Sequence, residues 1–257
     1  MLSKAQIQFV NSLKLKKYRA EHQLFIAEGT KIVSEILQSN YAVHALFALP
    51  EWLHKNKDHT AKIKTVCTEV TEHELKKISC LSTPHEVLCV VKMKSELLNA
   101  NELYTQLTLA LDDLQDPGNL GTIIRIADWF GISTIICSQQ TVDVYNPKVI
   151  QATMGSFLRI KIVYADLGEV LSVANKNSTN VYGALLNGEN VYSTQLSRNG
   201  IIVLGNESKG ISDKLVPHIN KKILIPSFAK KQNEMEIDSL NVSIAAAILC
   251  SEFVRRK

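Results

Sequence analysis

The sequence lacks the signals of several functional classes. No apolar run in its 257 residues approaches membrane-spanning length, and residues 1–6 do not resemble the apolar core of a signal peptide. The cysteines are scattered without a C-x-x-C pair, which argues against a disulfide framework or a zinc site. We therefore expect no membrane span, no metal site and a cytoplasmic location with reduced thiols. The cysteines are Cys67, Cys80, Cys89, Cys137 and Cys250.

Common nucleotide and hydrolase motifs are also missing. No G-x-G-x-x-G follows an apolar strand and no G-x-x-x-x-G-K-[ST] is present, which argues against a nicotinamide site and a P-loop. The seven histidines form no H-E-x-x-H and no evident triad. We interpret them as surface or hydrogen-bonded residues.

Charge is distributed unevenly along a mildly basic chain. The net charge is +4, but residues 1–94 hold 14 Lys and Arg against 9 Asp and Glu. The first twenty residues contain Lys4, Lys14, Lys16, Lys17 and Arg19 and no acidic residue. A basic front end suggests contact with a polyanion such as RNA, and the alternative is a solvated helix face.

Hydrophobic periodicity predicts an α/β protein. Residues 1–94 alternate helical and strand patterns, beginning with an amphipathic helix over 3–17, and indicate a small α/β domain. The pattern includes a strand over 63–67 and a helix over 71–78, for which Thr71 and Glu74 have the spacing of a capping box. Residues 95–104 resemble a linker. Residues 105–257 repeat strand and helix with continuous apolar strands, as in a parallel sheet covered on both faces, and end in a helix over 239–255.

The first candidate site is the spacing Asn119-x-Gly121-x-x-x-Arg125, at a strand-to-helix turn. Arg125 lies between aliphatic residues, where a cation is costly unless an anion meets it. The turn is expected to bring backbone and side-chain donors to the carboxyl edge of the sheet, where α/β proteins hold ligands.

Two further motifs follow later strands. Gly205-Asn206-Glu207-Ser208-Lys209-Gly210 comes directly after an apolar strand, and Ser239-Leu240-Asn241-Val242-Ser243 opens the last helix, with Ser239 as its expected N-cap. Each has a purely structural alternative, namely turn glycines, a solvated acid or helix capping. Their occurrence together at strand ends of one sheet favours a site.

These three motifs in this order resemble the SpoU (TrmH-type) RNA ribose 2′-O-methyltransferases of the SPOUT superfamily, over about residues 107–255. The segment around 25–29 is similar to the small RNA substrate-binding domain that often precedes this fold. The resemblance implies an RNA substrate-binding domain over 1–94 and a SPOUT methyltransferase domain over 105–257, with a parallel sheet and a C-terminal trefoil knot. It also implies a homodimer, S-adenosylmethionine as cofactor and rRNA or tRNA as substrate.

The resemblance also implies the site residues. Cofactor contacts fall on Leu204, Gly205, Ile225, Pro226 and Leu240. Catalytic roles fall on Arg125, Asn119, Glu207, Ser239 and Asn241. Independently of the resemblance, the charge distribution predicts RNA contacts at Lys14, Lys16, Lys17 and Arg19.

The implied roles follow from the chemistry of a ribose hydroxyl. A guanidinium rarely gives up its proton, so Arg125 is expected to lower the pKa of the 2′-hydroxyl electrostatically rather than act as a base. Asn119 is expected to position Arg125 or the nucleotide, and Glu207 to hold the motif loops or groups of a partner subunit. Ser239 and Asn241 are expected to line the site.

Two positions depart from the family pattern. The segment 227–238 is longer than the usual short loop, and Gln151 and Thr153 stand where the family commonly has Arg and Ser. Two other functions remain open at this point. One is an RNA-binding protein of this fold that does not methylate, and the other is a different small-molecule α/β enzyme, which leaves the basic first helix unexplained.

Overall fold

The chain divides into two compact units. A computed structural model describes residues 1–61, 63, 65–99, 101–228 and 239–255. The first unit combines residues 1–95 with 143–158, and the second combines 96–142 with 159–257. The helix over 147–153 thus packs with the first unit, although it lies within the predicted methyltransferase domain. The domain boundaries of the sequence analysis stay predictions.

The described residues form eleven α-helices and ten strands. The helices are α1 Lys4–Ser12, α2 Lys16–His22, α3 Thr30–Gln38, α4 Pro50–Lys55, α5 Lys57–Thr60, α6 Glu72–Ile78, α7 Glu102–Thr105, α8 Pro117–Trp129, α9 Pro147–Thr153, α10 Leu167–Lys176 and α11 Val242–Arg255. The strands are β1 Leu24–Glu28, β2 Val43–Ala48, β3 Cys67–Glu69, β4 Val87–Lys92, β5 Leu107–Leu111, β6 Thr134–Cys137, β7 Lys161–Tyr164, β8 Val181–Asn190, β9 Gly200–Leu204 and β10 Lys221–Leu224.

The first unit is built on a four-stranded sheet in the order β1-β4-β2-β3. β4 runs antiparallel to both β1 and β2, and β3 runs parallel to β2. β1 is buried along its whole length, so its hydrophobic run needs cover on both faces. One core combines these strands with α1 and α6. Its members are Leu2, Val10, Leu13, Leu24, Ile26, Phe47, Val70, Leu75, Ile78, Leu88 and Val90.

The predicted single helix over 3–17 is wrong. The chain forms α1 and α2 instead, and Leu15 between them is extended and exposed rather than packed in the core. The side chain of Arg19 explains the break, because its Nη1 donates to the carbonyl oxygens of Leu13 and Lys14 at 3.0 and 2.8 Å. Those carbonyl oxygens are therefore satisfied by a side chain instead of a continuing helix.

The predicted strand over 63–67 is placed differently. In the structure β3 begins at Cys67, and residues 62 and 64 lie outside the described part of the chain. The predicted capping box at the start of α6 is confirmed, since Thr71 Oγ1 accepts from the backbone N–H of Glu74 and Glu74 accepts from that of Thr71.

Segment 143–158 is tied to the first unit by charge and by aromatic packing. Arg19 donates from Nε and Nη2 to Asp143 Oδ2, at 3.0 and 2.7 Å, and Arg19 is only 2% exposed. The ring of Tyr145 packs on that of Phe25 with centroids 4.6 Å apart, and Phe157 meets Phe25 edge-on. A charge-assisted pair with two hydrogen bonds, shielded from water, fixes its partners more firmly than an exposed one.

The second unit contains a six-stranded sheet in the order β10-β8-β9-β5-β6-β7, and every neighbouring pair is parallel. The predicted parallel sheet is thus confirmed. α10 packs on one face, against Ile136, Val181 and Val203. On the other face Tyr182 meets Phe253 of α11, with ring centroids 4.7 Å apart. The trefoil knot stays a prediction.

Candidate active site

The candidate site lies at the carboxyl edge of the parallel sheet. β5 and β9 are paired in register up to Leu111 and Leu204, so the loops that follow them emerge side by side. One loop leads into α8 and the other is the loop 205–210. Because the peptide dipoles and free N–H groups of α8 begin at this edge, it is suited to polar ligands.

Helix α8 starts earlier than its apolar pattern suggests. Asp116 is the N-cap, with Oδ1 accepting from the backbone N–H of Asn119 at 2.7 Å, and Pro117 occupies the first helical turn. An Asp followed by Pro is a frequent helix start, so this signal was present in the sequence. Asn119 consequently lies on a fixed first turn.

Hydrogen bonds join the three motifs. Asn119 Nδ2 donates to Glu207 Oε1 at 3.1 Å, and Asn241 Nδ2 donates to Asn119 Oδ1 at 3.0 Å. The same Glu207 oxygen accepts from the backbone N–H of Asp116 at 3.4 Å. Glu207 therefore joins two of the motif loops, and its role in the reaction stays a prediction. Both the nitrogen and the oxygen of the Asn119 carboxamide are therefore used in hydrogen bonds to Glu207 and Asn241, and neither bonds Arg125.

The loop 205–210 is closed by its own backbone and by Asn206. Asn206 and Gly210 exchange two backbone hydrogen bonds of 2.9 Å. Asn206 Nδ2 also donates to the carbonyl oxygen of Asp113 at 2.8 Å, which ties the loop to the end of β5. A Cβ on Gly205 would clash with the backbone of Gly210 and Ile211, so only glycine fits this close approach.

Asn206, Asp112 and Asp116 were missed by the sequence analysis. The buried carboxylate of Asp112 accepts from the backbone N–H of Ser212 at 2.8 Å and so fixes the chain beyond the loop. A polar residue directly after a buried strand is the signal that points to such roles. The partners, about a hundred residues away, are not visible in sequence.

Helix α11 begins three residues later than predicted, and Ser239 is not its N-cap. Asn241 caps it, since Oδ1 accepts from the backbone N–H of Ser243 at 2.9 Å and of Ile244 at 3.4 Å. The hydroxyl of Ser243 donates to the same oxygen at 2.6 Å. A carboxamide can accept at the cap and donate to Asn119 simultaneously, which a serine hydroxyl is too short to do.

Arg125 lies on the solvent side of α8, so the expected burial among aliphatic residues is wrong. The neighbouring Ile123 and Ile124 are fully buried, whereas Arg125 is exposed and makes no hydrogen bond or ion pair with the described residues. Six residues of helix separate Arg125 from Asn119, about 9 Å along the axis. The guanidinium is consequently free to meet an anion from outside.

The predicted cofactor residues lie at the ends of β9 and β10 and before α11. Leu204 is buried, Gly205, Ile225 and Pro226 are partly buried, and Leu240 is 47% exposed. Since β8 pairs in parallel with both β9 and β10, these strand ends share the carboxyl edge. Residues 229–238, which include most of the long predicted loop, lie outside the described part of the chain.

Some basic side chains of the first twenty residues are bound within the protein, and others are exposed to solvent. Lys16 and Lys17 are exposed, and Lys14 Nζ donates to the carbonyl oxygen of Ser79 at 2.7 Å. Arg19 is buried against Asp143 and two carbonyl oxygens, so its guanidinium is not available to RNA. The prediction that Arg19 contacts RNA is therefore corrected, because the fold uses its charge internally.

No metal-binding cluster of three or more His, Cys, Asp or Glu residues occurs in the part of the chain that the structure describes. Within the same residues, no helix has the length and apolar character needed to cross a bilayer. All five cysteines are free thiols.

Comparison with known proteins identifies the family. Residues 106–251, more than half of the chain, match the SpoU rRNA Methylase family, and residues 4–89 match the MRM3-like substrate binding domain. The chain belongs to the SpoU rRNA methylase family. Both matches fall where the sequence motifs predicted them.

Relatives of this SpoU-family chain match either nearly its full length or somewhat more than half of it. The 23S rRNA (guanosine(2553)-2′-O)-methyltransferase RlmP of Bacillus subtilis is 29% identical over 238 residues, which cover 92% of this chain and 91% of RlmP. The human mitochondrial rRNA methyltransferase 3 is 30% identical over 161 residues, 59% of this chain and 37% of that protein.

Solved structures agree with this placement in the SpoU family. A TrmH-family structure from Porphyromonas gingivalis has 36% identity and a TM-score of 0.86, with full coverage of both chains. The AdoMet-bound rRNA methyltransferase from Sinorhizobium meliloti has 27% identity and a TM-score of 0.86, covering 99% of this chain and 96% of the other. The two-unit architecture is thus shared with known methyltransferases.

Proposed function

We propose that this protein transfers a methyl group from S-adenosylmethionine to the 2′-hydroxyl of a ribose in ribosomal RNA. Membership of the SpoU family gives the enzyme class, and the named rRNA relatives favour ribosomal over transfer RNA. The observation that carries the proposal is the series of hydrogen bonds Glu207–Asn119–Asn241, which brings the three motifs together at one edge of the sheet, at the start of the helix that also carries the exposed Arg125.

The strand ends fit the proposed cofactor. The tight backbone around Gly205 leaves no room for a side chain, and aliphatic residues Leu204, Ile225 and Leu240 flank the same edge. Apolar side chains at the edge of a parallel sheet suit the adenosine part of this cofactor. S-adenosylmethionine supplies an electrophilic methyl group on its sulfonium.

Arg125 is the proposed activator of the hydroxyl. A ribose hydroxyl is a weak nucleophile at neutral pH, and its alkoxide forms more readily beside a cation that cannot lose its own proton. Because Arg125 has no partner among the described residues, it needs no rearrangement before it meets the RNA. The backbone-anchored loops hold the reacting groups in line, which lowers the entropic part of the barrier.

The first unit is the proposed RNA-selecting part. Its match to a substrate-binding domain and its exposed Lys16 and Lys17 support this role, with Lys14 at the edge of the same basic region. Cations spread over such a surface meet phosphates and give binding that weakens with salt. A cytoplasmic location remains part of the proposal.

A homodimer is also proposed. Trp129 on α8 is 85% exposed, and Ile244 on the contacting helix α11 is 52% exposed. Large apolar side chains exposed on two contacting helices are typical of a surface that meets another subunit. A second copy placed here would also cover Leu240, so each cofactor region would depend on the partner.

Methyl transfer from labelled S-adenosylmethionine to ribosomal RNA and to transfer RNA tests the proposal. We expect label in ribosomal RNA, at a ribose that resists alkaline hydrolysis. Arg125→Ala should lower the turnover number by about 100-fold or more while cofactor binding is kept. The control Lys176→Ala, at the end of α10 on the other face of the sheet, should leave turnover unchanged.

Two outcomes would contradict the assignment. Near-normal turnover of Arg125→Ala would remove Arg125 from the chemistry. Tight RNA binding without any methyl transfer, with S-adenosylmethionine bound, would favour an RNA-binding protein of the same fold.

A further inference from the structure

A small cavity is lined entirely by residues of the first unit. Its volume is about 270 Å³, and its lining is almost entirely apolar. One wall is the turn after α6 and the other is α9. The lining residues are Cys80, Leu81, Pro147, Lys148, Gln151 and Ala152.

The wall at Cys80 is held by a buried acid. The Glu28 carboxylate is 5% exposed and accepts from the hydroxyl of Ser79 at 2.6 Å and from the backbone N–H of Cys80 at 2.9 Å. The Ser79 hydroxyl in turn accepts from the backbone N–H of Leu81 at 3.0 Å. Three hydrogen bonds therefore fix this turn before any ligand arrives.

The wall at α9 is fixed as well. The Asn146 side chain caps the helix, accepting from the backbone N–H of Lys148 at 2.9 Å. Just upstream, Asp143 forms its shielded pair with Arg19, and Tyr145 packs on Phe25. Both walls are held by hydrogen bonds and packing within the first unit, so the cavity needs no ligand to form.

Two lysines and one carboxamide supply the polar groups at and near the cavity. Lys148 is exposed at the opening, and Lys14 Nζ lies 2.7 Å from the carbonyl oxygen of Ser79, next to Cys80. Gln151 contributes a carboxamide that can both donate and accept, and none of the six lining residues is acidic. A largely apolar lining, one amide and nearby cations match an unpaired base whose phosphates remain outside.

We propose that this cavity binds one unpaired nucleobase of the RNA substrate, with Gln151 meeting the edge of the base and Lys148 and Lys14 meeting adjacent phosphates. The inference rests on the proposed action on RNA. The cavity is slightly smaller than the roughly 300–1,000 Å³ typical of sites for drug-sized ligands, which suits a single base. The base held here anchors the RNA in the selecting unit, whereas the reacting ribose meets the motif loops.

Alkylation of cysteines provides a test that needs no substitution. Cys80 lines the cavity, and Cys67, the other cysteine that is not buried, lies outside its lining and serves as an internal control. Burial raises the pKa of the Cys80 thiol to about 11. Labelling with iodoacetamide is therefore carried out at mildly alkaline pH, and the extent of labelling is measured by mass spectrometry. A 23S rRNA transcript should slow labelling of Cys80 by about fivefold or more, because a stacked base covers the sulfur, and should leave Cys67 unchanged.

A paired RNA duplex separates base insertion from phosphate attraction. At equal phosphate concentration the duplex should leave Cys80 exposed. Equal protection by the duplex, or unchanged labelling of Cys80 on the bound transcript, would overturn the proposal. Equal protection by free guanosine monophosphate at the same nucleotide concentration would also overturn it, in favour of a free-nucleotide site.

A filling substitution gives a second measurement. Ala152→Trp should raise the dissociation constant of the transcript roughly tenfold or more without changing that of S-adenosylmethionine, whereas Ala61→Trp at an exposed alanine outside the cavity should change neither. Equal affinities of the two variants for the transcript would argue against the site. Methyl transfer measured on the same samples keeps the proposals apart, since a protected Cys80 without methyl transfer contradicts only the proposed reaction.

Discussion

At the scale of single residues, the site depends on side chains that serve two partners. Asn119 donates to Glu207 and accepts from Asn241, and Asn241 also caps α11. Arg125 shows the opposite arrangement, because it is exposed and free among the described residues. The sequence predicted both as site residues, but for Arg125 the burial argument behind the prediction was wrong.

Asn119 offers a prediction at this scale. Asn119→Ala removes two exposed hydrogen bonds and should lower the free energy of unfolding by about 1–2 kcal/mol, with a loss of turnover. Asn119→Asp should be worse, because a carboxylate cannot donate to Glu207 and adds a like charge beside it. Thermal unfolding and methyl transfer measure both effects.

A swap variant is the control for this prediction. Glu207→Gln combined with Asn119→Asp reverses the donor and the acceptor. The double variant should recover much of the stability and turnover that Asn119→Asp alone loses. Failure of the swap to recover anything would mean that the bond between residues 119 and 207 is not what holds the loops together.

At the scale of elements, helix ends decide most of the geometry. α8 begins at Pro117 because Asp116 caps it, and α11 begins at Val242 because Asn241 caps it. The predicted helix over 3–17 instead breaks, because Arg19 takes up the carbonyl oxygens of the turn. The capping residues can be recognised from the local sequence, whereas the ion pair between Arg19 and the distant Asp143 cannot.

The capping box of α6 gives a prediction for pH. Hydrogen bonds from the backbone N–H of Thr71 and then of Leu2 lower the pKa of Glu74 from 4.5 to about 2. A depressed carboxyl pKa stabilises the fold above about pH 4.5, and this contribution is lost as the pH falls towards 2. Glu74→Gln should therefore be less stable than the wild type at neutral pH. The difference in stability between the two proteins should shrink as the pH falls from about 4.5 towards 2.

Urea midpoints measured by circular dichroism at neutral and acidic pH check this prediction. Glu72→Gln, an exposed acid on the same helical turn, is the matched control and should show little difference from the wild type at either pH. If the difference in urea midpoint between Glu74→Gln and the wild type stays constant with pH, the carboxylate charge is not the stabilising feature.

At the scale of the whole molecule, each unit has its own sheet and core. The first unit recruits 143–158 from the middle of the second, through the Arg19–Asp143 pair and the packing of Tyr145 on Phe25. The second unit leaves Trp129 and Ile244 exposed on contacting helices. This surface carries the proposal of a homodimer.

Ile244→Glu tests that surface. A carboxylate at the centre of an apolar interface cannot be desolvated cheaply, so the variant should become monomeric in light scattering after size exclusion and lose most methyl transfer. Val173→Glu, an exposed valine on α10 at the opposite face of the sheet, should keep both properties. An unchanged molar mass for Ile244→Glu would place the interface elsewhere.

The sequence alone determined the α/β class, the parallel sheet, the family and the three motifs, because periodicity, glycine positions and short motif spacings are local properties. Only the tertiary structure decided that Arg125 faces solvent, that Arg19 is buried against Asp143 and that Asn241 joins Asn119. Each of these depends on a partner 122 or more residues away or on which face of a helix the core covers. Such pairings are set by packing across the sheet, which no local pattern records.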